Sequence, residues 1–245
     1  MSDFMIHQGG EVVSVPVMQA VETPACTSTH ITIPHRDLHA LMENEIAVRF
    51  PNQDCQVELA LNHEGMECFW MFTIDVGVDD ATLAIAMRNA HNKRFCLAAA
   101  AGLSCFCCDN LSISGSSVTL MRKHTKHVWK DAEIMVMQIA ASSQRDFDNQ
   151  RLTLGRMKEI PCTTDRGYER IGLGLGHGVL TPTQANVAVR EWREPSHEEF
   201  QDRNVYSLYN AFTEAGKRGQ PGRMLDRYTG IHKFFSPEPG VVIDV

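Results

Sequence analysis

The sequence predicts an α+β fold in which an antiparallel sheet, formed by about residues 55–122, is covered by helices from the C-terminal half. Three observations favour it. Apolar residues alternate with a period of two in the first half, the spacing becomes helical after Trp129, and no linker rich in Pro, Gly or Ser divides the chain. We therefore expect one domain, residues 1–245, with an irregular arm at 1–30 and a loose tail at 236–245.

One helix and then a sheet are predicted in the first half. The helix begins near Pro34 and ends before Pro51. The stretches CQVELALN and MECFWMFTIDV flank HEG as a hairpin, and ATLAIAMRNA predicts a third strand. The apolar run that follows predicts a strand or short helix at 97–101 and a buried strand at 104–108. A turn at Asp109-Asn110 and the strand SSVTLMRKH complete the sheet.

The second half has helical spacing. Residues 130–160 predict one long helix or two, and the next helix has Thr164 or Asp165 as its N-cap. A further helix is capped by Thr181, and RNVYSLYNAFTEAGKR and GRMLDRYTGIHKFF predict two more. The segment GLGLGHG, residues 172–178, has neither the dinucleotide-binding spacing nor a P-loop ending. It therefore predicts a flexible turn or close helix packing.

Charge is unevenly distributed along the chain. The formal net charge of -7 argues against bulk affinity for nucleic acid or anionic membrane. Residues 43–80 contain nine acidic side chains and one arginine, whereas residues 88–130 contain seven basic side chains and one aspartate. Such sign asymmetry indicates a binding surface, although charges that solvate opposite faces of one sheet would give the same pattern.

Two basic segments, RNAHNKRF and MRKHTKHVWK, predict where this surface lies. If their strands pair, the cations form one stripe that contacts phosphates, and Trp129 offers a face for base stacking. The alternative is a solvated strand end with Trp129 in the core. The predicted nucleic-acid-binding residues are Arg88, Lys93, Arg94, Arg122, Lys123, Lys126, Trp129 and Lys130. The predicted structural turn residues are Asn89, His91, Asn92 and Asn110.

Metal and catalytic motifs are weak. The segment CFCC contains one CxxC pair, whereas a structural zinc site needs four ligands, and HxxH at 124–127 or HxxxH at 35–39 would have to supply the others. The segment HRDL at 35–38 lacks the asparagine of a kinase catalytic loop. We predict no cofactor and no metal. For a hydrolase or nuclease, the candidate catalytic residues are His91, Asp109, His124 and His177.

Four segments occur in an order that is typical of one protein family. They are Asn89-Ala90-His91-Asn92, Phe106-Cys107-Cys108-Asp109-Asn110, Lys123-His124-Thr125, and a late helix with Trp192 before Leu208-Tyr209-Asn210-Ala211-Phe212-Thr213-Glu214. The region of about 75–217 thereby resembles the DUF932 (UPF0380) family of phage and plasmid proteins. Ala90 and Asn92 replace the family's usual Ser and Asp, which weakens a catalytic role for position 92. The resemblance implies an accessory protein of mobile elements, and its element order is compatible, by analogy of fold, with Rad52-like annealing proteins.

We therefore expect a phage or plasmid accessory protein that binds single-stranded DNA or another nucleic acid and acts in annealing or recombination, without chemistry of its own. One rival is a counter-defence or host-takeover module whose acidic residues 43–80 bind a basic host protein. The other is a metal-dependent hydrolase or nuclease. The sequence shows no signal peptide and no membrane-spanning run, and its eight cysteines then favour the reduced cytoplasm of an infected or plasmid-bearing cell. A homo-oligomer is compatible with the annealing role.

Overall fold

A sheet of seven antiparallel strands occupies the first half of the part of the chain that the computed structural model describes, which is residues 10–77, 81–105, 111–112, 120–217 and 224–235. Spatial order follows chain order from β1 to β5, and β6 and β7 both pair with the far edge of β5. The strands are β1 Glu11–Val12, β2 Cys55–Asn62, β3 Glu67–Ile74, β4 Ala81–Ala90, β5 Leu97–Cys105, β6 Leu111–Ser112 and β7 Leu120–Arg122.

Helices make up most of the second half, and the predicted α+β class is confirmed. They are α1 Val15–Gln19, α2 His35–Arg49, α3 Val128–Glu159, α4 Thr164–Gly176, α5 Pro182–Arg193, α6 Val205–Gly216 and α7 Met224–Phe235, with a 3-10 turn at Glu198–Phe200. Within the described ranges, no helix combines the length and the apolar character that crossing a bilayer requires.

The two faces of the sheet differ in the size of their side chains. One face carries large residues such as Trp70, Phe72 and Met87, which join α2 and α3 in the main core. The other face is rich in alanine and belongs to a second cluster that includes Tyr228 of α7. Successive residues of a strand alternate between these faces, so the register decides which side chains reach each core.

Three local predictions need correction. The arm 1–30 is not irregular throughout its described part, because β1 pairs with β2 and Met18 of α1 is fully buried. Elements of two and five residues are too short to give a periodic signal. The run from 97 onward is one continuous strand, β5, rather than two elements. The N-cap of α4 is Thr163, whose side chain accepts from the Arg166 amide.

Close helix packing explains part of the glycine-rich segment, whose first five residues complete α4 rather than form a loop. A Cβ built on Gly174 would lie 2.7 Å from Phe212 of α6, closer than real side chains approach. About two turns earlier, a Cβ on Gly167 would meet Trp192 of α5. Gly172 and Gly176 have open space around them.

Candidate functional site

The two basic segments leave the sheet at the same end. Ala98 of β5 pairs with Arg88 of β4 on one side and with Met121 of β7 on the other. Because β4 and β7 are both antiparallel to β5, they run in the same direction, and the residues after them emerge side by side. We call residues 91–94 together with 123–130 the basic end of the sheet.

Acidic residues lie at the opposite end. Asp54 precedes β2 and Asp75 follows β3, and the amide of Asp75 donates to the carbonyl of Asp54 at 3.0 Å. Both residues are exposed. Asp54 and Asp75 are therefore separated from the exposed cations along the strands, whereas Glu64 and Glu67, at the hairpin between β2 and β3, lie at the basic end.

Most of the predicted binding residues are accessible at the basic end. The exposed cations are Lys93, Arg94, Lys123, Lys126 and Lys130. Trp129, in the first turn of α3, is 40% exposed and so does not lie in the core. Arg122 is half-buried, and its Nη1 donates to the carbonyl of Met121 at 2.9 Å.

Arg88 differs from these residues because it is only 4% exposed. It lies inside β4, which continues to Ala90, and its guanidinium carbon lies 5.2 Å from the centre of the Phe95 ring. Alternation places Arg88 on the alanine-rich face, opposite the small side chain of Ala98. The surface of the predicted stripe therefore lacks Arg88, while the binding role of the exposed cations stays a prediction.

A buried carboxylate, which the sequence analysis missed, holds the turn after β4. Glu67 is 2% exposed and accepts from Asn92 Nδ2 at 2.8 Å. Arg94 Nη1 lies 3.3 Å from the same oxygen and also contacts His63 Nε2. Asn92 Oδ1 accepts from the Arg94 amide at 3.1 Å, and Lys93 adopts a left-handed φ of 65°. The polar side chains of this turn thus fix the position of its cations.

Four histidines from three separate parts of the sequence gather beside this turn. His30, His35, His91 and His124, which we call the histidine cluster, are between 2% and 7% exposed. The rings of His35 and His91 stack at 4.0 Å between centroids, and those of His30 and His124 stack at 4.7 Å. Asn89, predicted to lie in a turn, is a fully buried residue of β4 that contacts the cluster.

Main-chain carbonyls fix which ring nitrogens carry hydrogen. His91 Nε2 donates to the Ile33 carbonyl at 2.8 Å, and His124 Nδ1 donates to the Ile31 carbonyl at 3.0 Å. A carbonyl oxygen can only accept, so in a neutral ring the other nitrogen carries a lone pair. Those nitrogens, His91 Nδ1 and His124 Nε2, are buried without a hydrogen-bond partner, as is His30 Nε2.

The cluster is held in its neutral form. Burial, together with the neighbouring His91 and His124, lowers the pKa of His35 to about 3. Burial also lowers the pKa values of His30, His91 and His124. For His91 and His124, hydrogen bonds to Ile33 and Ile31 partly oppose this effect by raising the pKa. The rings act as uncharged donors and acceptors near neutral pH.

The residues proposed for an enzymatic alternative are only partly brought together. His91 and His124 share the histidine cluster, whereas His177 is exposed at the end of α4, with its ring 6.3 Å from that of Phe234. The predictions for Asp109 and Asn110, and for most of CFCC, lie outside the described residues. As the described side chains are arranged, no three His, Cys, Asp or Glu residues are grouped so that they could hold a metal ion.

Comparison of the chain with family models, with curated proteins and with solved structures gives no match. The resemblance to DUF932 proteins therefore stays a prediction from the sequence. The class that the fold and the site define is an α+β protein whose sheet has a basic end above a buried histidine cluster.

Proposed function

We propose that the protein binds single-stranded nucleic acid at the basic end of the sheet. The observation that carries this proposal is that residues 91–94 and 123–130 emerge side by side and present exposed cations. Lysine and arginine contacts to phosphates supply affinity and position without reading the base sequence. The resemblance to DUF932 proteins supports a role in annealing or recombination in a phage or plasmid.

Trp129 supports the choice of single strands. Its ring is 40% exposed within the first turn of α3, next to Lys130 and three residues after Lys126. An unpaired base can stack on such a ring, which contributes about 1–3 kcal/mol per base. In duplex DNA the base faces are already stacked, so we expect weaker binding to duplex than to single strands.

Tryptophan fluorescence gives a direct test, because the chain has three tryptophans and the other two, Trp70 and Trp192, are each 1% exposed. Titration with an oligo-dT strand should quench the emission of Trp129. The Trp129→Phe variant should lose the quenching and retain part of the affinity. Quenching that persists in this variant would refute stacking at Trp129.

Salt dependence tests the phosphate contacts. The double variant Lys123→Ala/Lys126→Ala should weaken oligo-dT binding by roughly tenfold, as expected for two exposed ion pairs. The slope of log K against log salt should fall in magnitude by about 1.4, since each single-strand phosphate contact contributes about 0.7. Equal binding by variant and wild type would refute the proposed site.

A matched control lies on the same helix. Arg151 and Arg156 are exposed residues of α3, and Arg151 is about 30 Å along the helix axis from Lys130 at 1.5 Å per residue. The variant Arg151→Ala/Arg156→Ala removes the same charge away from the basic end. It should bind like the wild type, so an equal loss in both double variants would point to a net-charge effect instead.

At the end of the sheet opposite the basic end, Asp54 and Asp75 are exposed and adjacent. These carboxylates favour a second candidate function, which is an interaction with a basic host protein. This candidate predicts salt-sensitive binding of poly-lysine that is weakened in Asp54→Asn/Asp75→Asn. If that binding occurs while oligo-dT is not bound, the second candidate replaces the first.

A further inference from the structure

The histidine cluster fastens one stretch of chain, residues 30–34, to the basic end, and we call this stretch the latch segment. The Ile31 amide donates to the His124 carbonyl at 2.9 Å, and the Ile31 carbonyl accepts from the His124 ring. The Ile33 carbonyl accepts from the His91 ring and, at 2.9 Å, from Asn89 Nδ2. Two imidazole rings thus supply much of the polar attachment of the latch segment to the sheet.

A second proton on these rings has no favourable position. The nitrogens that would receive it, on His30, His91 and His124, are buried and face no hydrogen-bond acceptor. Charging both members of a stacked pair would place two cations at 4.0 Å or 4.7 Å between ring centroids. Like charges at such short range, away from water, strongly disfavour the closed arrangement.

The charged groups around the cluster add to this effect. The charge of Lys93, in the β4–β5 connection, lowers the pKa of His30. The other charges that lower the pKa values of these rings are those of the neighbouring histidines themselves. Neighbouring carboxylates are paired elsewhere, Asp37 of α2 with Arg36 at 3.5 Å and Glu67 of β3 with Arg94. From β3, the cluster meets the uncharged ring of Trp70, 5.7 Å from His35.

We propose that the histidine cluster is a proton-operated latch. Neutral rings hold residues 30–34 closed on the basic end, and protonated rings release them and add positive charge beside Lys93 and Lys123. This inference rests on the proposed nucleic-acid site, because the added charge strengthens binding to phosphates there in acid. Release of the latch segment and binding of nucleic acid can be measured separately, so either one can fail without the other.

Amide hydrogen exchange of the protein without nucleic acid tests the opening. The Ile31 amide reports on the latch because it donates to His124, and the Cys162 amide, which donates to the Arg203 carbonyl at 2.9 Å, reports on a distant part of the fold. From about pH 7 to about pH 5.5, the protection factor of Ile31 should fall about eightfold for each proton taken up on opening. A pH-independent Ile31, or an equal fall at Cys162, would overturn the proposal.

Variants that cannot be protonated identify the responsible rings. In His124→Gln the amide group can still donate to Ile31, and in His30→Gln the amide group can still bond to the main chain of His91, as the His30 ring does. In each variant the fall in the protection factor of the Ile31 amide should be about eightfold smaller, because one ring that takes up a proton on opening is gone. The control is His177→Gln, because His177 is exposed at the end of α4 and belongs neither to the histidine cluster nor to the basic end. An unchanged fall in both cluster variants would refute the latch.

Binding to oligo-dT at the two pH values completes the test. The wild type should gain more affinity in acid than His124→Gln does, with His177→Gln behaving like the wild type. If Ile31 opens in acid but no oligo-dT binds at either pH, the proposed function fails while the latch stands. If the wild type retains zinc through gel filtration and His124→Gln does not, the imidazoles are metal ligands and the latch is wrong.

Discussion

A single methyl group on Gly167 should destabilise the protein through its contact with Trp192. The Cβ of a Gly167→Ala variant would lie 2.1 Å from Trp192 Nε1 and 2.3 Å from Cε2. The ring cannot move away easily. It is 1% exposed, its Nε1 donates to the Thr164 carbonyl at 3.1 Å, and the guanidinium of Arg203 lies 4.6 Å from its centre.

The expected magnitude follows from three opposing effects. Alanine is about 1 kcal/mol better than glycine in a helix interior. Overpacking a well-filled interior costs about 1–3 kcal/mol, and loss of the Trp192–Thr164 hydrogen bond costs about 1 kcal/mol more. The free energy of unfolding of Gly167→Ala should therefore fall by about 1–3 kcal/mol.

Gly172→Ala is the matched control in the same helix. No atom lies within 4 Å of a Cβ built there, so the variant should gain about 0.5–1 kcal/mol of stability from helix propensity alone. Urea unfolding followed by circular dichroism measures both variants, with unchanged m-values as the check that the unfolding process is the same. If the two variants shift stability in the same direction, the close packing of α4 on α5 is wrong.

Two further predictions concern acid stability and a helix cap. Burial lowers the pKa of His232 to about 4, below the unfolded value near 6.5, so its neutral form stabilises the fold above about pH 6.5. As the pH falls towards 4, this contribution of about 3 kcal/mol to the free energy of unfolding should be lost. His232→Leu should flatten that part of the plot of unfolding free energy against pH. His177→Gln, at an exposed site, should leave it unchanged. Thr181→Ala removes the capping box of α5 and should lower the free energy of unfolding by about 1 kcal/mol in urea, with Thr181→Ser retaining most of it.

Long periodic elements could be predicted from the sequence because each carries its own signal. The hairpin of β2 and β3 and the strand β4 each extend over eight or more residues, and Thr181 and Pro182 mark the start of α5. The two basic segments were expected to meet through direct pairing of their strands. The register shows instead that β5 lies between β4 and β7, and both segments leave the sheet at the same end because β4 and β7 are each antiparallel to β5.

Arg88 shows where local reasoning reaches its limit. A charged residue after an apolar run usually indicates that a strand has reached solvent, so Arg88 was expected on the surface. The structure buries it because Ala98, its partner on β5, leaves space on the alanine-rich face, and because Phe95 offers its ring to the guanidinium. That space depends on the identity of a residue ten positions later, which the pattern around Arg88 does not contain.

The histidine cluster could not be predicted by spacing motifs, since its members come from three separate parts of the chain, residues 30–35, 91 and 124. The pairs that spacing suggested do not form a site: His127 is exposed, and His39 lies 3.2 Å from Glu43 on its own helix. The partner of His124 is His30, ninety-four positions earlier, and the link is the pairing of the latch segment with the chain after β7. Residues 30–34 therefore contact a chain segment that carries cations far from them in sequence, so under the proposed function we expect a change there to alter oligo-dT binding even though Lys123 itself is unchanged.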